Sequence, residues 1–243
     1  LDPDERYVRD IKTSTHEICT SEFKRWDDEK DDTKKVQRAV DYIIQHYKQF
    51  DTLVVDEWLL INGSVYIYPR VDGVNDSFPF IMRGKYPQVR DCGDKLSMTK
   101  PYVRCGFYSD TSYKGDQVPM FIVGRPADAT KYKHTMIIKG VEIRQLVFIN
   151  YQYDNSAHAC IENRNCISLY RCTPVLEDLY FSGFYRCILV NRTNKYGSVN
   201  EDNYIEEGLF YNITMDKIGD YGMYLNNGDN IKVDMVWCLM NSK

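Results

Sequence analysis

From Thr135 onward one spacing recurs, apolar-x-apolar-x-x-apolar, and it limits what the chain can fold into more than any other feature. It reads Leu146-x-Phe148-x-x-Tyr151, Leu179-x-Phe181-x-x-Phe184, Ile213-x-Met215-x-x-Ile218 and Ile231-x-Val233-x-x-Val236. The copies begin at 146, 179, 213 and 231, so the steps between them are 33, 34 and 18 residues. A second strand-like set interleaves with the first: Cys166-Ile167-x-Leu169, Cys187-Ile188-x-Val190 and Gly222-Met223-x-Leu225. Alternation with period two marks strands that bury one face. Two such strands per repeat describe an all-β solenoid, a coil of short parallel strands. A β-sandwich with coincidental spacing is the alternative, because sandwiches also use short alternating strands.

The regular repeats are expected from about 135 to the end of the chain. Ahead of them, residues 1–30 are charge-dense and read as a polar, solvated lead-in. A helix follows over about 33–48, where Val36, Ala39, Val40, Ile43, Ile44 and Tyr47 form one apolar stripe and Asp32 or Thr33 caps the first amides. Leu53-Val54-Val55-Asp56 and Ser64-Val65-Tyr66-Ile67-Tyr68 are short β-rich runs separated by the tight-turn pair Asn62-Gly63. Phe80-Ile81-Met82 and Pro119-Met120-Phe121-Ile122-Val123 read as buried strands. Residues of about 84–117 form a long excursion whose tyrosines argue for order.

Composition removes several classes. With 31 Lys+Arg against 35 Asp+Glu, the net charge is −4, which argues against a protein held to nucleic acid by phosphate contacts. The apolar runs are far short of the roughly 18 residues of a membrane span. No phosphate loop or dinucleotide fingerprint occurs, so no cofactor is expected, and the eight cysteines lack metal-ligand spacing and read as free buried thiols. Four Asn-x-Ser/Thr triplets, at Asn62, Asn75, Asn191 and Asn212, are a small excess over chance. The start at Leu1 resembles neither a signal peptide nor a natural initiator, so a processed or cut chain is expected.

The run Asp31-Asp32-Thr33-Lys34-Lys35-Val36-Gln37-Arg38-Ala39-Val40-Asp41, followed by Leu53-Val54-Val55 and Val65-Tyr66-Ile67-Tyr68-Pro69, resembles the start of the pectin-lyase-like right-handed parallel β-helix family. In that family such a helix caps the open end of the coil. The segments 139–148, 175–181 and 229–236 are similar to its repeats, so the resemblance covers most of residues 31–243. The glycine-rich segment many members carry before the Asp-Asp-Thr is replaced here by residues 19–30. The polygalacturonase signatures Asn-Thr-Asp, Gly-His-Gly and Arg-Ile-Lys and the Arg-x-Pro-x-x-Arg of pectate lyases are missing, so no catalytic residue is carried over.

Members without those signatures resemble phage tailspikes and neck appendages. The resemblance therefore implies an extracellular homotrimer on a virion tail or appendage that binds, and in many members depolymerises, bacterial surface polysaccharide. The rivals are a secreted glycoside hydrolase or polysaccharide lyase of the same fold, and a structural attachment module with no sugar site. The last residues, 237–243, offer no cap or trimerisation stalk, and an uncovered last strand would expose an edge, so the natural protein is expected to continue.

Stacking the four copies assigns faces, with the first and third positions of each inward and their neighbours outward. Gln145, Asp178, Asn212 and Asn230 then form a side-chain ladder. Val147, Tyr180, Thr214 and Lys232 make one outward column, and Ile149, Ser182, Asp216 and Asp234 the next. This frame puts Asp216 and Asp234 on neighbouring strands about 4.8 Å apart, where two carboxylates repel, split their pKa values and can act as acid and base or nucleophile on a glycosidic bond. Asp220 and Glu177 lie near the same region. A solvated acidic face with Lys217 and Lys232 is the plainer reading of the same residues. Tyrosines crowd this half, and Tyr180, Tyr196 and Tyr221, with Lys232, are the expected sugar contacts; Tyr196 belongs to a loop of 191–204 that can border a groove. Core or interprotomer packing is the equal alternative for them.

Overall fold

The structure is a computed structural model that describes residues 16–68, 77–85, 105–115, 117–124, 138–190 and 205–239. Strands take up 54% and helix 10% of the described residues, which are mostly parallel β-sheet with one α-helix. The chain begins with β1 (Glu17–Cys19) and α1 (Thr33–Gln45), then runs through β2 (Thr52–Val55), β3 (Trp58–Leu60) and β4 (Val65–Ile67). A second pass holds β5 (Ser77–Gly84), β6 (Gly106–Ser109) and β7 (Pro119–Val123). The third holds β8 (Ile138–Asn150), the short pair β9 (Tyr153–Asp154) and β10 (Ala159–Cys160), and β11 (Asn165–Leu169). There follow β12 (Cys172–Ser182) with β13 (Arg186–Val190), then β14 (Ile205–Glu206), β15 (Leu209–Asp216) and β16 (Tyr221–Leu225), and last β17 (Gly228–Asp229) and β18 (Lys232–Leu239).

Each pass but the last, β17 and β18, feeds two sheets. Sheet A has eleven strands in the order β1-β2-β5-β8-β12-β14-β17, with β15 and β18 extending from β12, and β6 and β3 extending from β8. Sheet B has five, in the order β4-β7-β11-β13-β16. Every pairing in both sheets is parallel, and among the described residues only β9 and β10 pair antiparallel. The second sequence set, at 166–169, 187–190 and 222–225, is the middle and end of sheet B, in register as Ile167, Ile188 and Met223.

The longer strands of sheet A bend at one column. Gln145, Asp178, Asn212 and Met235 share a register position, and all four have φ between 53° and 56°. That left-handed conformation costs an L-residue about 1–2 kcal/mol, least for Asn and Asp. The side-chain ladder forms in part, since Asn212 Nδ2 donates to Asp178 Oδ1. Its expected fourth member, Asn230, is displaced: the column ends in Met235, and Asn230 sits at a separate bend next to Glu207, with φ values of 52° and 48°. The bend divides sheet A into a first arm, before the column, and a second arm, after it.

The core lies between the sheets. Phe107, Phe148 and Phe181 from successive strands of the second arm stack with centroids 5.6 and 5.0 Å apart, and Phe121 of sheet B meets Phe107 edge-on at 4.8 Å. Each such pair adds about 0.5–1.5 kcal/mol beyond the area it buries. Where the second arm turns toward sheet B, Ser109 Oγ donates to Asn150 Oδ1 and Asn150 Nδ2 to the Gly183 carbonyl, both at 2.8 Å. Gly183 has φ 81°, and a Cβ there would lie 2.2 Å from the Asn150 oxygen, so no other residue fits the corner.

Helix α1 buries Val36, Ala39, Val40, Ile43 and Ile44 against this core, as the stripe predicts. Its first turn is held differently from expectation. Asp31 accepts the Thr33 amide at 2.8 Å, while Asp32 accepts the Leu60 amide at 2.9 Å and so ties the helix to β3. The segment 16–30, expected to be solvated, is built into the fold from residue 16 on. Its β1 extends sheet A, Ile18 and Phe23 are buried, and Glu29 pairs with Arg38, whose guanidinium lies 3.9 Å over the Trp26 ring. The expected excursion of 84–117 contains β6, a full member of sheet A. A buried Arg164 straps the Asn62-Gly63 turn through the carbonyls of Ile61 and Gly63 at 2.6 and 2.7 Å, over the Tyr113 ring at 4.1 Å.

Candidate functional site

Side-chain alternation gives sheet A an outer face, and the bend column divides it in two. On the first arm one outward column, Arg83, Arg144, Glu177, Tyr211 and Asp234, is largely charged, and the other mixes Glu142 and Lys232 with Ile81, Val175 and Leu209. Arg83 lies opposite Arg144, an arrangement that repels unless each cation has its own acid. Glu17 takes Arg83 through two contacts of 2.7 and 2.8 Å, and Arg144 reaches Glu142 at 2.6 Å and Glu177 at 3.3 Å. Glu177 faces Tyr211, and Tyr211 faces Asp234. Lys232 faces Leu209 in the neighbouring column.

The second arm carries rings and hydroxyls. One outward column runs Trp58, Gly106, Val147, Tyr180, Thr214, Trp237; the next runs Leu60, Tyr108, Ile149, Ser182, Asp216, Leu239. Val147 and Ile149 are buried although they point away from the core, because Trp58, Tyr108 and Tyr180 pack over them as a separate apolar cluster. Gly106 makes room for the indole: a Cβ there would lie 2.9 Å from Trp58 Cζ3 and 2.4 Å from the Val147 oxygen. Tyr108 meets Tyr151 edge-on at 5.9 Å, and Trp237 is 54% exposed at the far end of the strip. From Trp58 to Trp237 is five strand steps of about 4.8 Å, about 24 Å in all.

One carboxylate stands in this strip. Tyr180 donates its hydroxyl to Asp216 Oδ2 at 3.3 Å. Burial, then the Asp216 charge, pushes the Tyr180 phenol well above its ordinary pKa, so it stays a neutral donor. Burial raises Tyr151 and Tyr108 as well, the latter with help from Asp32 and Asp110.

Past the corner, Arg186 gives both Nε and Nη2 to Asp220 Oδ2 at 2.7 Å. Its guanidinium lies 5.1 Å over the Tyr185 ring and 5.7 Å over both Tyr221 and Tyr224, so it is enclosed by rings at weak cation–π range. Burial and the Asp220 charge raise the Tyr185 phenol.

The eight residues expected from sequence are thus dispersed. Tyr180 and Asp216 meet on the second arm, and Asp220 and Tyr221 meet at Arg186. Glu177, Lys232 and Asp234 lie on the first arm, and Tyr196 lies outside the described residues. The expected Asp216–Asp234 neighbourhood is overturned. Ile213 pairs with Val236, so Asp216 faces Leu239 and Asp234 faces Tyr211, a slip of five residues from the sequence frame. The cause is the bend: apolar-x-x-apolar occurs both across it, as Val233-x-x-Val236, and after it, as Phe148-x-x-Tyr151, so the motif fits two phases. Sequence reasoning missed Trp58, Tyr108, Tyr151 and Trp237; Trp237 follows at once from the corrected frame.

Among the described residues, no group of three or more His, Cys, Asp and Glu side chains is placed to hold a metal ion. No helix among them is long and apolar enough to cross a membrane. No family model, no curated protein and no solved structure matches the chain.

Proposed function

We propose that the successive passes form a right-handed parallel β-helix capped by α1, and that this coil binds a bacterial surface polysaccharide in the manner of the phage tailspikes and appendages it resembles. The observation that carries the reading is the outer face of the second arm, where Trp58, Tyr108, Tyr180 and Trp237 line a strip beside one acceptor, Asp216. Ring faces stack on the C–H faces of sugars while hydroxyls and a carboxylate take their OH groups. A strip about 24 Å long suits an extended polymer better than a small molecule.

Among the described residues, binding without cleavage is the form of this function that the side chains favour. A glycosidase of the usual kind needs a second carboxyl about 5–9.5 Å from the first and free to act. Asp234 is displaced to the first arm, and Asp220 is engaged by Arg186.

The test is binding and chain-length analysis with purified capsule and lipopolysaccharide from a panel of bacteria. Binding that falls at least tenfold in Tyr180→Ala and Trp237→Ala, but persists in Arg144→Met, supports the reading. Shortening of the polymer that disappears in Asp216→Asn would make the protein a depolymerase. Equal binding by all three variants would remove the strip from the function.

A further inference from the structure

We infer that the polysaccharide taken by this strip is neutral, not acidic; the inference rests on the polysaccharide reading above and adds the charge class of the ligand. Its basis is the Asp216 carboxylate on the strip and the pairing of the arginines nearest to it on the described sheet. Arg83 and Arg144 lie on the first arm and are already held by Glu17, Glu142 and Glu177. Arg186, past the corner, is neutralised by Asp220. Arg25, whose charge reaches Tyr108, lies 3.9 Å from Asp32, and Tyr108 feels two carboxylates, Asp32 and Asp110, against that single guanidinium.

On the two outward columns themselves the ionised group is Asp216, and the other polar groups are the hydroxyls of Tyr108, Tyr180, Ser182 and Thr214. Lys217 is the next residue after Asp216, at the corner with φ 54°, and is the cation nearest to that carboxylate in the chain. The strip therefore offers hydroxyls that donate and accept and one carboxylate over apolar rings, with no arginine on either column. A uronic acid or sialic acid polymer would bring its carboxylates against Asp216 without a bidentate arginine to meet them, and such like-charge contact is how an interface rejects a ligand. A neutral hexose polymer meets no such cost, and its hydroxyls suit Asp216 as acceptor.

The experiment compares one polymer in two charge states: polygalacturonate, its carboxyl-reduced neutral galactan, and a panel of neutral bacterial polysaccharides alongside acidic capsules, each titrated against the full chain at low salt. The expected result is that neutral forms bind at least tenfold more tightly than acidic ones, a difference of about 1.4 kcal/mol. Asp216→Asn should narrow that ratio, whereas Arg144→Met on the other arm leaves it unchanged and Lys217→Ala widens it. Acidic polymers bound as well as neutral ones would overturn the charge inference and leave the polysaccharide reading standing. Absence of binding to every polymer of both classes would overturn the polysaccharide reading and the inference with it.

Discussion

The two arms of sheet A share strands, one hydrophobic core and a common bend, yet their outer faces differ. The first arm carries a ladder of paired charges, Glu17 with Arg83 and Arg144 with Glu142 and Glu177, beside a column that includes Ile81, Val175 and Leu209. The second turns outward Trp58, Val147, Ile149, Tyr108 and Tyr180. Surface ion pairs of this exposure contribute about 0–1 kcal/mol each, so the first arm's face gives solubility and strand register more than stability. The second arm's outward side chains point away from the main core and bury one another, while Trp237 and Leu239 leave the far end of the strip exposed, and exposed apolar patches mark interaction sites. The fold is common to both arms; the chemistry that can engage a ligand is on one.

The severest way to break the comparison is to remove the stack that underlies the second arm. Phe148 stacks on Phe107 and Phe181 and contacts Phe121. Phe148→Ala should cost about 3–5 kcal/mol, because the cavity is walled by strands that cannot close over it. Urea unfolding followed by circular dichroism would check this, and a loss under about 1 kcal/mol would show that the stack is not what holds the second arm together.

A pH titration should then separate the arms. Tyr108, Tyr151 and Tyr180 have phenols raised by burial in the folded protein, so the folded state holds those protons more tightly than the unfolded chain. Their contribution is complete below the ordinary tyrosine pKa of about 10 and is lost as pH rises beyond it, since the unfolded chain ionises first. Stability measured from pH 9 to 12 should fall, and fall less in Tyr180→Phe. The same slope in wild type and variant would mean that Tyr180 does not carry this linkage.

How much of this was legible in the sequence depends on where each motif sits relative to the bend. Leu146, Leu179 and Ile213 follow the bend and are 33 and 34 residues apart, so their register, the outward column Val147-Tyr180-Thr214 and the three matching strands of sheet B could be read directly. The last copy, at Ile231, lies before the bend, and apolar spacing alone cannot distinguish the two phases. That displaced Asp234 and Lys232 to the other arm. The aromatic strip stayed hidden for another reason: Trp58, Gly106 and Val147 are 48 and 41 residues apart, steps made unequal by intervening loops, and β6 lay inside what read as an excursion. Strand pairing across unequal loops is a long-range property that no local pattern encodes.

A smaller effect tests the charged arm. Arg144→Met keeps the length of the side chain and removes its contacts to Glu142 and Glu177, which are about one third exposed. The expected loss is below about 1 kcal/mol and should shrink further in high salt, where surface pairs are screened. A loss of 3 kcal/mol or more would show that the ladder holds the first arm together and would erase the energetic contrast between the faces.

The smallest effect, and the one that most sharpens the contrast, is at Trp58. Its ring lies over Gly106 and Val147, but its buried Nε1 has no hydrogen-bond partner. A buried donor without an acceptor costs about 1–3 kcal/mol, which offsets much of what the indole gains by packing. Trp58→Phe removes the donor and keeps a ring over the glycine, so the two terms should nearly cancel and stability should stay within about 1 kcal/mol of the wild type. A loss above about 2 kcal/mol would mean that the N–H is bonded in the protein. An unchanged stability with weaker polysaccharide binding would mean that this indole is held on the outer face, at the expense of a hydrogen bond, for the surface it presents.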